Sequence, residues 1–298
     1  MFNAVDIIVV GRFSGSEALA AVGSTTALIN VFTNLFIGIS LGANVLAARF
    51  FAAGRKEEMS ETVHTSITLA LISGILMAFV GLVFSKGALE LMGTPEDVIG
   101  LSTLYMRIYF MGMPFFMLYN YGAAILRAVG DTKRPLYFLI IAGVINAGLN
   151  MVLVIVFGLG VAGVGIATVF SQMVSCVLVL TCLCRTEGSY KLSFSKLSMK
   201  GYYLKQIFQV GIPAGIQSTV INFSNALLQS SVNSFGSTAM AGYTAANNIL
   251  GFLYVSINSV TQACMSFTSQ NFGVGKYKRM DRVLIDCMIL SVGTALVL

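Results

Sequence analysis

Residues 135–157 read PLYFLIIAGVINAGLNMVLVIVF (Pro135–Phe157), a run without one charged side chain, entered directly from Lys133 and Arg134. At about 1.5 Å per residue, such a run crosses the ~30 Å hydrocarbon core of a bilayer as a single helix. A strand of a membrane barrel would instead alternate in polarity over about ten residues. The run is continuously apolar, so the class is all-α and membrane-spanning. Lipid offers no partner to backbone N–H and C=O groups, and a helix satisfies them within itself. The run holds only two strongly polar residues, Asn146 and Asn150. They stand four apart, so they share one helix face.

Working outward, comparable apolar stretches lie near 1–12, 25–48, 65–85, 101–126, 161–184, 207–234, 239–270 and 284–298. The composition agrees. Of 298 residues, 56% are apolar and 10% are charged, where a soluble domain carries roughly 25% charge. Mean hydropathy is +0.85. These values exclude an ordinary soluble enzyme, and a disordered chain, which needs low hydrophobicity and high charge. Met1–Gly11 has no basic leader and no cleavage site, so it reads as half of a span and not as a signal peptide.

The cations take sides. Fifteen of the eighteen Lys and Arg residues fall in alternate connections, around 49–56, 127–134, 185–205 and 276–282. The connections near Gly15, Gly93, Gly160 and Gly236 carry almost none. The positive-inside rule places the basic loops in the cytoplasm of a multi-pass cell-membrane protein. The net charge of +6 is then an orientation signal. Spread over four short loops, it does not form a nucleic-acid face. The five Cys residues lie in or at the ends of apolar stretches and read as small hydrophobes. His64 is the single His, so neither a His-containing metal site nor a catalytic His cluster is expected.

The chain repeats itself at one offset. Ser14-Gly15-Ser16 and its flanks match Phe235-Gly236-Ser237, and Arg49–Met59 matches Gln270–Met280. Gly15 to Gly236, Gly54 to Gly275 and Met59 to Met280 each span 221 residues. That distance holds six spans, an even number, so the two units are parallel repeats, as in many transporters. The expected organisation is an N-terminal lobe over 1–200, with an inter-lobe loop at about 185–205. The start of a second lobe follows over 205–298. The offset also implies a chain shortened at both ends, with eight to nine of twelve helices present.

Charges at membrane depth mark function by default. Asp6 lies well inside the first span. Arg107 and Asp286 lie near span ends, where they can reach water. Counting from the loops, Asn150 and Thr168 fall at the depth of Asp6, with Asn146 a turn deeper and Asn120 deeper still. Carboxylate, amide and hydroxyl oxygens at one level suit a hard cation such as Na⁺, while H⁺ needs only the carboxylate. Gln217, Asn222, Asn225, Gln229 and Asn233 on the seventh span suggest a wetted cavity, as do Asn247, Asn248, Asn258 and Gln262 on the eighth. Met111, Met113 and Met117 could line an adaptable chamber, although core filling suits them better.

Several stretches together resemble the multidrug and toxic compound extrusion (MATE) family of secondary transporters, bacterial type. They are Val5–Gly11, Ala18–Gly23, Arg127–Pro135, Asn146–Asn150, Gly160–Thr168 and Val232–Gly236. The resemblance covers the whole chain. It implies twelve helices in two six-helix lobes, with no enzymatic activity and no cofactor. It implies export of drugs or organic cations in exchange for H⁺ or Na⁺, by alternating access, from a monomer in the bilayer. It places cation coupling on Asp6 with Asn120, Asn146, Asn150 and Thr168, while the polar and Met residues noted above put the substrate cavity at Gln217, Asn222 and Met113. Many bacterial members carry Asp where this chain has Asn150, which leaves Asp6 alone and favours H⁺. One branch has a Glu on the seventh span, where Ile221 and Asn222 stand here. The alternative in the wider superfamily is a flippase for lipid-linked oligosaccharides. Its cavity would be cationic, and Arg107 is the one candidate cation in these spans.

Overall fold

The apolar runs form long helices, and their ends fall where glycine or proline interrupts them. The computed structural model describes the backbone of residues 2–233 and 237–297. Side-chain surroundings are described for these except 2–5, 7, 8, 16, 24, 27, 31, 222, 223, 226, 227, 229, 230, 232, 233, 237–249 and 252. In chain order the helices are α1 (Phe2–Phe13), α2 (Gly15–Ala52), α3 (Lys56–Leu91), α4 (Glu96–Met111) and α5 (Met113–Ala128). They continue as α6 (Lys133–Asn150), α7 (Gly160–Arg185), α8 (Gly201–Asn233), α9 (Ser237–Gly273) and α10 (Tyr277–Val297). No strand occurs among the described residues. Phe32–Ala52, Lys56–Leu91, Lys133–Val156 and Gly160–Arg185 are long and apolar enough to cross a membrane.

Two expected spans are not simple helices. The stretch 101–126 is broken at Gly112 into α4 and α5. Pro114 has no N–H to bond a carbonyl behind it, and the Gly112 N–H bonds the Tyr109 carbonyl at 3.0 Å. The deciding run 135–157 is α6 followed by a π-helical segment, Met151–Val156. There Phe157 N–H reaches five residues back to the Val152 carbonyl at 3.1 Å. The widened turn starts one residue after Asn150. π segments are frequent at functional sites.

Helices in lipid gain little from hiding apolar surface from one another, so they associate through close packing of small residues. Gly74 on α3 leaves room for the Pro114 backbone, and Gly81 for the Phe110 ring. Around these contacts Phe110, Met117, Tyr121 and Ile125 are fully buried. α2 and α8 also approach closely. Gly38 faces Gly215, Gly42 faces the Ile207 carbonyl, and Gly211 faces Ile39, backbone against backbone. Polar bonds continue this contact towards the basic end. Ser266 Oγ donates to Asn44 Oδ1 at 2.9 Å, and Gln270 Nε2 to the Ala128 carbonyl at 2.7 Å.

The basic turns carry the repeat into the backbone. Gly54 and Gly275 both take left-handed φ, +68° and +69°. Gly54 N–H bonds Phe51 O and Arg55 N–H bonds Phe50 O, while Gly275 N–H bonds Phe272 O and Lys276 N–H bonds Asn271 O. Every partner is displaced by the same 221 residues. Between α7 and α8 the connection is tied down. Ser193 N–H donates to His64 Nε2 at 3.2 Å, while His64 Nδ1 contacts the Ser60 carbonyl at 2.7 Å. Lys200 reaches Thr65 through its N–H and Glu61 through its ammonium, both at 3.4 Å.

Candidate functional site

Three helices bring one carboxylate, two amides and one hydroxyl together. Asp6 from α1 is 1% exposed. Its Oδ1 accepts from Asn150 Nδ2 on α6 at 2.7 Å, and its Oδ2 accepts from Thr168 Oγ1 on α7 at 2.9 Å. Asn150 Nδ2 also donates to Asn146 Oδ1 at 3.3 Å, and Asn146 Nδ2 donates to Thr168 Oγ1 at 3.3 Å. Asn146 and Asn150 are fully buried. Sequence spacing supplies the geometry: the four-residue step stacks both amides on the inner face of α6, and α7 presents Thr168 across from them.

The cluster is rich in acceptors and short of donors. Both bonds from Asn150 Nδ2 are made, yet Asn150 Oδ1 is buried without a partner among the described residues, as is Gln172 Oε1. A buried polar atom without a partner costs about 1–3 kcal/mol. A site with surplus buried oxygens and one carboxylate is suited to receiving a proton or a small hard cation. Asp6 and Thr168 border a cavity of about 70 Å³, together with Thr26, Asn30, Tyr105, Tyr109, Phe116 and Gln172. At ~30 Å³ per water molecule, it has room for an ion and its water. It is far below the roughly 300 Å³ that a drug-sized ligand needs.

Of the expected coupling residues, Asp6, Asn146, Asn150 and Thr168 meet. Asn120 does not. Its Nδ2 donates to the Phe116 carbonyl one turn back at 2.8 Å, so its amide serves its own helix. Of the expected cavity residues, Met113 and Gln217 have described surroundings. Met113 is fully buried in the packed core beside the Gly112 break, where a chain-filling thioether belongs. Gln217 is exposed on α8. The side chain of Asn222 lies outside the described residues, as do those of Gln229, Asn233, Asn247 and Asn248. Arg107 and Asp286 are exposed. The five Cys are free thiols, and no group of three or more His, Cys, Asp or Glu stands close enough for a metal among the described residues.

Sequence reading missed Tyr105, Tyr109 and Gln172. The signal was present: the tyrosines are four apart, and Gln172 is four from Thr168, so each pair shares a face.

Comparison with known proteins adds four findings. The MatE family profile matches residues 1–152 and 213–298, well over half the chain. A probable multidrug resistance protein, YoeA of Bacillus subtilis (strain 168), is 33% identical over 289 residues; the match takes in 94% of this chain and 62% of that protein. The chain thus spans under two-thirds of that relative's length. A crystal structure of MATE in the bent conformation superposes with a TM-score of 0.90 at 23% identity, covering 99% of this chain and 66% of the other. The outward-facing conformation of a multidrug resistance MATE family transporter superposes with a TM-score of 0.84 at 23% identity, covering 98% and 64%.

Proposed function

Because the chain belongs to the MatE family, we propose that it forms the first lobe, residues 1–200, and the start of the second, residues 205–298, of a secondary transporter. It exports drugs or organic cations in exchange for H⁺. The single observation that carries this reading is the buried Asp6 carboxylate, bonded to Asn150 and Thr168 beside an ion-sized cavity. Such a carboxylate holds its helices one way when charged and another when neutral, because the charged form demands both donors and the neutral form does not. Proton arrival loosens α1 from α6 and α7, and the change in packing is what the substrate reads.

The lobe contacts support a two-state cycle. Described contacts between α2 and α8 or α9 gather in the basic half, from Leu35 and Gly38 down to Arg49. With the basic loops in the cytoplasm, this arrangement is closed inside, and the substrate leaves outward. Interdigitated backbones have few intermediate positions, so parting them is a switch between arrangements. The transporter works as a monomer in the bilayer, without a cofactor and without enzymatic chemistry.

The spare oxygens of Asn150 and Gln172 favour Na⁺ as a second reading of the coupling ion. A lipid-oligosaccharide flippase draws no support, since Arg107 is exposed and no Lys or Arg borders the Asp6 cavity. The test uses the protein expressed from its complete reading frame in vesicles, with a fluorescent organic cation as substrate and pH and Na⁺ gradients imposed separately. Efflux driven by the pH gradient, lost in Asp6→Asn at unchanged membrane insertion, is the expected result. Drive from Na⁺ alone selects the second reading, and undiminished efflux in Asp6→Asn overturns both.

A further inference from the structure

A notch of about 420 Å³ opens at the basic end where α2 meets α8. Its walls come from both lobes: Arg49 and Arg55 from one, Tyr202, Lys205, Gln206 and Gln209 from the other. Three cations and no carboxylate are among its lining residues, and Arg55 Nε pairs with Glu58 Oε1 at 2.9 Å. That pairing leaves the other guanidinium N–H groups of Arg55 available. Arg49 and Lys205 meet no carboxylate within 4 Å among the described residues. Arg49 is nevertheless held, its guanidinium 5.1 Å from the centre of the Phe272 ring on α9.

The chemistry of this lining is one-sided. Arg and Lys only donate hydrogen bonds, and Gln and Tyr can add further donors. Lys205 and Gln206 lie near the start of α8, whose positive dipole end also favours an anion. Depth narrows the ligand. Arg49 lies in the last turn of α2, at the end of the apolar span Phe32–Ala52, where a bilayer presents its headgroups. The volume exceeds that of a bare phosphate and leaves room for a headgroup.

We propose that the notch binds a phosphate ester anion at headgroup depth, supplied by an anionic phospholipid of the inner leaflet. Both lobes form its walls, so the anion binds the arrangement in which the basic ends touch and weights the transport cycle towards it. This goes beyond the exchange reaction, whose site on α1, α6 and α7 is separate.

The test uses the complete protein in phosphatidylcholine nanodiscs doped with phosphatidylglycerol, with bound lipid counted by native mass spectrometry. Wild type is expected to retain phosphatidylglycerol over phosphatidylcholine. The Arg49→Gln, Lys205→Gln double variant weakens that preference roughly thirtyfold, about fivefold for each cation removed. Lys86→Gln, which removes a distant charge, leaves it intact. Displacement by excess inorganic phosphate assigns the notch to free phosphate and overturns the lipid source; failure of phosphate to displace supports it. Equal retention of the two lipids by wild type overturns the proposal without recourse to variants. So does an unchanged preference in a double variant that elutes as a single species.

Discussion

The turns at Ala53–Arg55 and Val274–Lys276 share one backbone and keep different company. Each uses a left-handed glycine and the same two hydrogen bonds. Away from these turns, several polar residues of the two lobes are placed differently. In the first lobe, Asp6, Asn146, Asn150 and Thr168 are buried and bonded to one another. In the second, which this chain covers only in part beside its relatives, Gln217, Asn225 and Asn258 are exposed, and α10 buries no residue among those described. Local sequence sets the turn, because a positive φ is cheap for glycine and the carbonyls lie within reach. What an amide does depends on how many helices surround it. α1, α6 and α7 close around Asn150, while α10 packs chiefly on α9.

Variants can break this contrast, beginning with the strongest. Asp6→Asn removes the only acid of the cluster, and coupled efflux should fall to background while the protein still inserts. Gly42→Leu puts a side chain into the Ile207 carbonyl where the lobes touch. Overpacking there should cost about 1–3 kcal/mol, read as reduced crosslinking between Asn44→Cys and Ser266→Cys in an otherwise Cys-free protein. Thr168→Val keeps the shape and removes one donor from Asp6. An interhelical bond in a membrane protein is worth about 0.6–1.7 kcal/mol, so the melting temperature should drop by a few degrees and efflux should weaken by less than in Asp6→Asn. Gln217→Leu, on the exposed side of the contrast, should stay within about 0.5 kcal/mol of wild type. A large loss of stability or efflux there would show that α8 uses its amides as α6 does.

Much of this was legible in the residues. Continuous apolar runs gave the helices, and a fixed rise per residue put Asp6, Asn150 and Thr168 at one depth. What was less legible has one cause: periodicity tells which residues share a face, and says nothing of what that face meets. Gln217 lies exposed, which a wetted cavity face and an outer face share. Asn120 was expected in the cluster and turned back to Phe116. Met113 follows Gly112 and precedes Pro114, a punctuation that predicts a break, and the break is what swings it into the core. Tyr105 and Tyr109 escaped notice because tyrosines near a span end read as interface anchors.

The bond between Ser193 and His64 shortens the leash between the lobes. The connection from Arg185 to Gly201 looks long enough to pay out slack. Pinned at Ser193 and again at Lys200, it has almost none. A second lobe tethered in this way would swing from a post at the roots of α3 and α8, as a door does, in preference to sliding out like a drawer.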